Sequence, residues 1–251
     1  MITLYDFDGK AKGVPWNPNV WKTRYSLNYK GLPYKTVLIE YPDVEPTMKK
    51  INAPPTAKKA DGSPLYTIPA IYDDSTGTAI ADSILIAEYL DKTYPSTPRL
   101  IPQGTHALQG AFGDFFFSKM MPLLTLTLPD VPLMLLNPRS AEYFEKARSA
   151  DFGVPTLEAF RVPPEAKDAA WDKVKDALGT LNALMKDGDT WVMGDAPSFA
   201  DFVMGGLIGT VKSLYGKESE EWKRIMSWHG GRWQRLMVAL EKYSASAVPT
   251  L

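Results

Sequence analysis

Cysteine is absent from the 251 residues of this sequence. The chain therefore has no disulfide bond, no thiolate zinc site and no cysteine nucleophile of its own. Histidine is nearly absent as well, because His106 and His229 are the only two in the sequence. Neither is accompanied by carboxylates at metal-ligand spacing, so the sequence predicts no metal site.

An excess of charge of one sign is also missing. Lys and Arg together number 28 and Asp and Glu 29, a formal net charge of -1. Since nucleic-acid-binding proteins concentrate Lys and Arg on one face, no nucleic-acid partner is predicted. The most apolar stretch, residues 120–136, is interrupted by prolines and an aspartate, so no membrane span is predicted. The first eight residues contain no basic or apolar leader, and we expect a cytoplasmic protein.

The first ninety or so residues alternate between strand-like and helix-like patterns. Short runs of β-branched and aromatic residues indicate strands, and Gly31 is placed to end the first helix. The predicted elements are a strand at Ile2–Phe7, a helix at Val20–Tyr29, a strand at Tyr34–Ile39, a short helix at Glu45–Ile51, a loop at Asn52–Pro64, a hairpin of Ile68–Tyr72 and Thr78–Ala81, and a helix that begins at Asp82 and Ser83.

The second half of the sequence shows helical patterns and no convincing strand. Trp171, Val174 and Leu178 recur at steps of three and four, which is typical of one apolar face of a helix. Residues 199–214 are apolar almost all round and predict a buried helix. The sequence therefore predicts an α/β domain over residues 1–94, a linker over residues 95–104 and an all-α domain over residues 105–251.

Several short motifs occur in an order that one family shares. Tyr66-Thr-Ile-Pro-Ala-Ile71 leads into a strand, Ala81-Asp-Ser83 opens a helix, and Ser198-Phe-Ala-Asp201 forms a capping box before the apolar helix. These motifs resemble the cytosolic glutathione transferases, whose N-terminal domain is thioredoxin-like and whose C-terminal domain is a helical bundle. Segments 17–31 and 82–94 further resemble fungal class A transferases, relatives of bacterial β-etherases. The resemblance implies a homodimer that uses glutathione and no metal.

The resemblance places a glutathione site in the N-terminal domain. Ile68, before an expected cis-proline at Pro69, would pair its backbone with the cysteinyl part of glutathione, and Thr67 adjoins it. Ser83 would donate to the γ-glutamyl carboxylate at the helix N-terminus, and Asp82 would accept from the ammonium group. Taken alone, Asp82 and Ser83 could simply cap a helix, but the nearby Ile68 and Pro69 favour the binding site.

The glycyl carboxylate of glutathione requires a cation. Lys58 and Lys59 lie in the loop before Ile68 and are the candidates, and Lys59 is the predicted binding residue. Exposed lysine pairs are usually just solvated. Arg24 lies within the first helix, and we expect it to have a structural role.

Activation of the thiol is the central chemical question. A free thiol has a pKa of roughly 8.5, and lowering it by two units takes about 2.7 kcal/mol of preferential thiolate stabilisation. Serine-type transferases place a serine at the start of the first helix, where this sequence has Asn17, followed by Asn19. Either asparagine could donate to the sulfur or could only cap the helix. Tyr5 is a rival donor whose position fits a structural tyrosine better, and Ser26 lies too far along the helix.

A second pocket for hydrophobic aromatic small molecules is expected between the domains. Trp16 on the first loop and Phe115 and Phe117 on the first long helix are the predicted walls. Phe116 stands between the two phenylalanines, and at least one of the three must face the helical core because they point in different directions.

Three functions are compatible with these residues. The leading one is a glutathione transferase that conjugates or thiolyses hydrophobic aromatic compounds, an etherase-like detoxification. The second is a non-catalytic, ligandin-type binder of aromatic molecules on the same fold, favoured by the missing serine. The third is a regulatory or scaffold protein without a working site, against which the intact Ile68-Pro69 and Asp82-Ser83 pairs count.

Overall fold

A four-stranded mixed sheet forms the centre of the N-terminal half. The computed structural model describes residues 1–11 and 13–245. The strands of the structure are β1 (Ile2–Phe7), β2 (Tyr34–Ile39), β3 (Ala57–Lys58), β4 (Pro64–Leu65), β5 (Ala70–Asp73) and β6 (Thr78–Ala81), and β1, β2, β5 and β6 form this sheet. The order in the sheet is β2-β1-β5-β6, with β1 parallel to β2 and antiparallel to β5. Every residue of β1 is buried, as expected of a central strand that is covered on both faces.

The segment 52–64, predicted as a loop, contains part of a small ribbon. Ala57 pairs with Leu65 and Lys58 with Pro64, which makes β3 and β4 an antiparallel pair of their own. Strands of two residues show no alternation, so the sequence could not reveal them. The first hairpin strand was predicted to begin at Ile68, but β5 begins two residues later.

Helices cover the sheet and make up most of the C-terminal half within the described residues. They are α1 (Pro18–Lys30), α2 (Val44–Lys50), α3 (Ser83–Thr93), α4 (His106–Lys119), α5 (Met121–Thr127), α6 (Val131–Met134), α7 (Pro138–Phe152), α8 (Lys167–Leu184), α9 (Phe199–Tyr215), α10 (Glu220–Ser227) and α11 (Arg232–Glu241). Gly31 ends α1 at a φ of 66°, in the left-handed region that glycine adopts without cost. No helix in the described ranges is sufficiently long and apolar to cross a membrane.

The buried helix α9 holds the two halves of the chain together. Ser198 and Asp201 form the predicted capping box at its N-terminus. A Cβ atom on Gly206 would lie only 2.5 Å from the carbonyl oxygen of Pro18, and one on Gly205 would lie 2.3 Å from Leu240 Cδ1. These glycines therefore allow α9 to pack directly against α1 and α11.

Two buried ion pairs fix α1 in this arrangement. Arg24 donates to Asp6 on β1 at 2.7 Å, with both side chains 1% exposed, which confirms a structural role for Arg24. Lys30 donates to Asp91 on α3 at 2.7 Å and to the carbonyl oxygen of Pro98 at 3.0 Å. The domain division at residues 95–104 stays a prediction, and the predicted end of the helical domain, residues 246–251, lies outside the described residues.

Candidate functional site

A cleft of about 1070 Å³ lies between the sheet and the helices that follow it. It brings most of the predicted site residues together. Those that line it are Trp16, Asn17, Asn19, Lys59, Thr67, Ile68, Asp82, Ser83 and Phe117. Pro69 and Phe115 are not among the lining residues.

The start of α3 and the turn before β5 are joined at one end of the cleft. Asp82 caps α3, and its Oδ1 accepts from the backbone N–H groups of Ile84 at 3.0 Å and Leu85 at 3.5 Å. The Asp82 N–H donates to the carbonyl oxygen of Pro69 at 3.2 Å. Asp82 has a φ of 81°, which is strained for a residue with a side chain, and such strain often occurs at functional sites. Ser83, the first residue of the helix, is thereby held beside the Pro69 turn.

Ile68 presents unpaired backbone to the cleft. The Ile68–Pro69 peptide bond is cis, and the Ile68 side chain is 5% exposed. Neither its N–H nor its carbonyl group has a partner among the residues that the structure describes. Because backbone polar groups are normally paired, this position can receive the backbone of an extended ligand. The neighbouring Thr67 hydroxyl is held by Thr56 Oγ1 at 2.8 Å.

The two candidate lysines differ in their surroundings. Lys59 Nζ lies 3.0 Å from Glu45 Oε2, and Glu45 also pairs with Lys49 at 2.7 Å. Lys58 lines the same cleft and has no ion pair within the described ranges. A carboxylate at this end of the cleft can therefore pair with Lys58, but it must compete with Glu45 for Lys59.

Asn17 uses its side chain as the cap of α1. Its Oδ1 accepts from the backbone N–H groups of Asn19 at 2.9 Å and Val20 at 3.2 Å, and its Nδ2 donates to the Tyr41 hydroxyl at 3.5 Å. Pro18 has no N–H group. The first backbone donors of α1 are thus absent or occupied, and within the described residues one N–H of the Asn17 amide and the Asn19 amide are left to donate to a sulfur atom at this helix end.

The other candidates for thiol activation are Asn19, Tyr5 and Ser26. The Asn19 Oδ1 accepts from Lys22 Nζ at 2.9 Å, and its Nδ2 has no partner within the described residues, so Asn19 can also donate. Tyr5 is 8% exposed within β1, does not line the cleft, and burial raises the pKa of its hydroxyl. Ser26 donates its hydroxyl to the carbonyl oxygen of Lys22 at 2.7 Å, one turn back along α1.

Lys22 itself is a site residue that sequence reasoning missed. It lines the cleft near Asp82 and Asp114, whose charges raise its pKa, although burial lowers the pKa overall. Its position three residues after Asn19 puts both on one face of α1, which is the signal that could have found it. Lys22 is a cation beside the start of α3, where an anionic ligand group is expected.

Aromatic rings line the other half of the cleft. Phe7 stacks on Tyr41 at 3.8 Å between ring centroids, and Trp16 lies 5.8 Å from Phe7. Phe144 of α7 meets Tyr41 edge to face at 5.3 Å. Tyr41 and Phe144 were missed from the sequence, because they lie about a hundred positions apart.

The three consecutive phenylalanines of α4 point in different directions. Phe116 is fully buried in the helical core and Phe117 is 53% exposed, and both line the cleft. Phe115 packs against Lys119 of the same helix, and the Lys119 Nζ lies 5.6 Å from the Phe115 ring centroid. Of the two predicted walls on this helix, the structure places only Phe117 in the cleft.

The described residues contain no group of three or more His, Asp or Glu side chains that could hold a metal ion. The side chains that converge on the cleft are donors, acceptors and aromatic rings. Such a set can bind a peptide-like thiol at one end and a flat apolar molecule at the other.

Comparisons with known proteins agree with this fold. Residues 16–93 match the family model of the glutathione S-transferase N-terminal domain, and residues 107–243 match that of the C-terminal domain. A glutathione S-transferase-like protein of Aspergillus flavus, ustS, is 31% identical over 234 residues, which cover 88% of this chain and 82% of that protein.

Two solved structures resemble the chain over nearly its whole length. A glutathione S-transferase of Ceriporiopsis subvermispora, solved in complex with glutathione, is 42% identical with a TM-score of 0.92 and covers 100% of this chain and 99% of its own. Glutathione transferase GSTFuA3 of Phanerochaete chrysosporium is 39% identical with a TM-score of 0.91 and covers 98% of each chain. The chain belongs to the glutathione transferase family, an enzyme family whose co-substrate is glutathione.

Proposed function

We propose that this transferase binds glutathione along Ile68 and at the start of α3, and transfers its sulfur to hydrophobic aromatic compounds held in the other half of the cleft. The observation that carries the proposal is that the unpaired backbone of Ile68 faces the same cleft as Asn17 and the aromatic rings. A thiol bound at Ile68 and an aromatic acceptor against these rings would meet at Asn17.

We assign residues to the charged groups of glutathione from charge and hydrogen bonding. The Ser83 hydroxyl and backbone N–H would bind the γ-glutamyl carboxylate, with Lys22 adding a positive charge. Asp82 Oδ2, which caps no backbone group, would accept from the ammonium group. Lys58 would take the glycyl carboxylate together with Lys59, whose charge Glu45 partly compensates.

The chemistry requires the thiolate. The Asn17 amide would donate to the sulfur and favour its ionised form, assisted by the positive end of the α1 dipole. The thiolate then attacks an electrophilic carbon of the aromatic compound. With an aryl ether, a carbon–sulfur bond forms as the carbon–oxygen bond breaks, and the phenolate leaves with the electron pair. This is the etherase-like reaction, and the aromatic lining of the cleft supports an acceptor of this class.

A second candidate function is non-catalytic storage of aromatic molecules. It is favoured by the hydrogen bonds that the Asn17 side chain already makes. The Oδ1 atom accepts from two backbone N–H groups, and Nδ2 donates to the Tyr41 hydroxyl. An amide so engaged is a weaker activator than a free hydroxyl. Turnover of a chromogenic aromatic electrophile with glutathione distinguishes the two functions, because a storage protein binds the aromatic without consuming glutathione.

The direct test of the glutathione site is calorimetric titration of the wild-type protein and of Ser83→Ala. The variant should bind glutathione about 10-fold more weakly, since it loses a charge-assisted bond of about 1–2 kcal/mol. Ser227→Ala is the matched control, because that hydroxyl is exposed on α10 and donates only to a backbone carbonyl. Equal affinities of Ser83→Ala and wild type would remove Ser83 from the site.

The homodimer and the cytoplasmic location remain proposals. Leu85 on α3 and Leu108 on α4 are 48% and 67% exposed, and a second copy of the chain would cover such apolar side chains. Sedimentation equilibrium tests the dimer, and a monomeric mass at micromolar concentration would refute it.

A further inference from the structure

Two hydrogen-bond donors in the aromatic half of the cleft lack acceptors. The Tyr41 hydroxyl accepts from Asn17, but no acceptor for its own proton occurs among the described residues. Arg148 on α7 forms an ion pair with Asp151, with its Nη2 2.9 Å from Asp151 Oδ2, whereas its buried Nε has no partner within residues 1–11 and 13–245. Buried donors without acceptors are uncommon in native proteins. A ligand in the cleft can supply an acceptor for the Tyr41 hydroxyl and for the exposed part of the Arg148 guanidinium.

Both donors pack against one ring. The Tyr41 ring centroid lies 5.3 Å from that of Phe144, and the Arg148 guanidinium carbon lies 5.9 Å from the Phe144 centroid. Arg148 is near enough for its charge to lower the pKa of the Tyr41 hydroxyl, although burial raises this pKa overall. The indole nitrogen of Trp16 also lacks a partner within the described residues, and it would lie 3.2 Å from a Cβ atom on Gly9.

The guanidinium can be reached from the cleft. The Arg148 side chain lines it and is 42% exposed, so the guanidinium beyond its buried Nε is accessible to a ligand. Asp151 is itself 52% exposed, and solvent therefore screens its competition for Arg148. The site offers a hydroxyl, a planar cation and flat aromatic walls.

We propose that Tyr41 and Arg148 together bind the carboxylate of an aromatic acid, so that the cleft selects aromatic carboxylates over neutral aromatics of the same shape. A carboxylate has two oxygens, which matches two donors on different elements, and arginine binds it through a planar edge. The ring of the ligand then packs against Phe7 and Phe144. The proposal rests on the proposed function, because it specifies the acceptor for the same cleft.

The test compares two ligands of equal shape, 2-naphthoate and its neutral analogue 2-naphthamide. Calorimetric titration of the full-length protein without glutathione should give at least about 10-fold tighter binding of the naphthoate. Arg148→Met should abolish this preference and leave the affinity for naphthamide nearly unchanged. Arg139→Met is the matched control, because Arg139 is an exposed arginine of the same helix that pairs with Asp43 outside the cleft. The control should retain the full preference.

Equal affinities of the two ligands for the wild-type protein, or failure of both to bind, would overturn the proposal. A preference that survives Arg148→Met would do the same. Tyr41→Phe is the second variant, since it removes the hydroxyl and keeps the ring. It should reduce the preference several-fold, and an unchanged ratio would remove Tyr41 from the site. The proposed function is tested separately, because it would be refuted by the absence of glutathione binding in the glutathione titration.

Discussion

The side-chain amide of Asn17 donates to the hydroxyl of Tyr41 at 3.5 Å, so the cap of α1 and the aromatic wall of the cleft are joined by one long hydrogen bond. The residue proposed to activate the thiol is thereby coupled to the residue proposed to hold the acceptor. A change at either position should affect both halves of the site, and the variants below are chosen to separate stability from chemistry.

Asn17→Ser should raise the turnover of glutathione with a chromogenic electrophile, because a hydroxyl donates to a thiolate better than an engaged amide does. Asn17→Ala should lower turnover and cost about 1 kcal/mol of stability through the lost helix cap. Serine also caps helices, so Asn17→Ser should unfold in urea close to wild type. If all three proteins turn over at one rate, Asn17 does not face the sulfur.

Asp82→Gly and Asp82→Ala should weaken glutathione binding equally, since both remove the carboxylate. Their stabilities should differ. The alanine variant keeps the unfavourable φ of 81° and loses the cap, whereas glycine adopts that φ freely, so we expect Asp82→Gly to be the more stable by about 1 kcal/mol. Urea unfolding measures the difference, and an alanine variant as stable as the glycine variant would show that Asp82 is not strained.

Gly206→Ala should destabilise the protein by about 1–3 kcal/mol, because its Cβ would meet the Pro18 carbonyl oxygen at 2.5 Å and push α1 away. Gly209→Ala on the same helix is the control. Its Cβ would lie 3.7 Å from Met237 Cε, an ordinary contact, and alanine favours a helix by about 1 kcal/mol. We therefore expect opposite shifts of the midpoint of urea unfolding. Destabilisation of both variants would indicate tight packing along all of α9.

His229 should make stability depend on pH. Its Nδ1 accepts from Trp233 Nε1 at 2.8 Å, and burial, followed by the charges of Lys175 and Arg232, lowers its pKa in the folded protein. The unfolded chain therefore takes up the proton first, and stability falls as the pH drops through about 6.5, the ordinary histidine value.

The control for this effect is His229→Gln, which cannot titrate in that range. The free energy of unfolding is measured in urea on both sides of the histidine pKa. Wild type should lose stability on acidification relative to the variant, and parallel losses in the two proteins would assign the effect to other groups.

Much of the α/β half follows from short sequence patterns. The predicted bounds of β1, β2 and β6 agree with the structure, and Gly31 ends α1 as expected. The capping box of Ser198 and Asp201 is confirmed too. These features are local, because a residue type and its nearest neighbours set the backbone conformation there.

The sequence by itself determined the strands β1, β2 and β6, the end of α1 at Gly31, the turn at Ile68 and Pro69, and the helix that starts after Asp82. Only the tertiary structure decided which side chains meet in the cleft. It brought Lys22 to Asp82, and Arg148 to Tyr41, across separations that no periodicity spans. The physical reason is that long-range contacts depend on how helices pack and rotate against the sheet, which is set by the summed burial of many side chains.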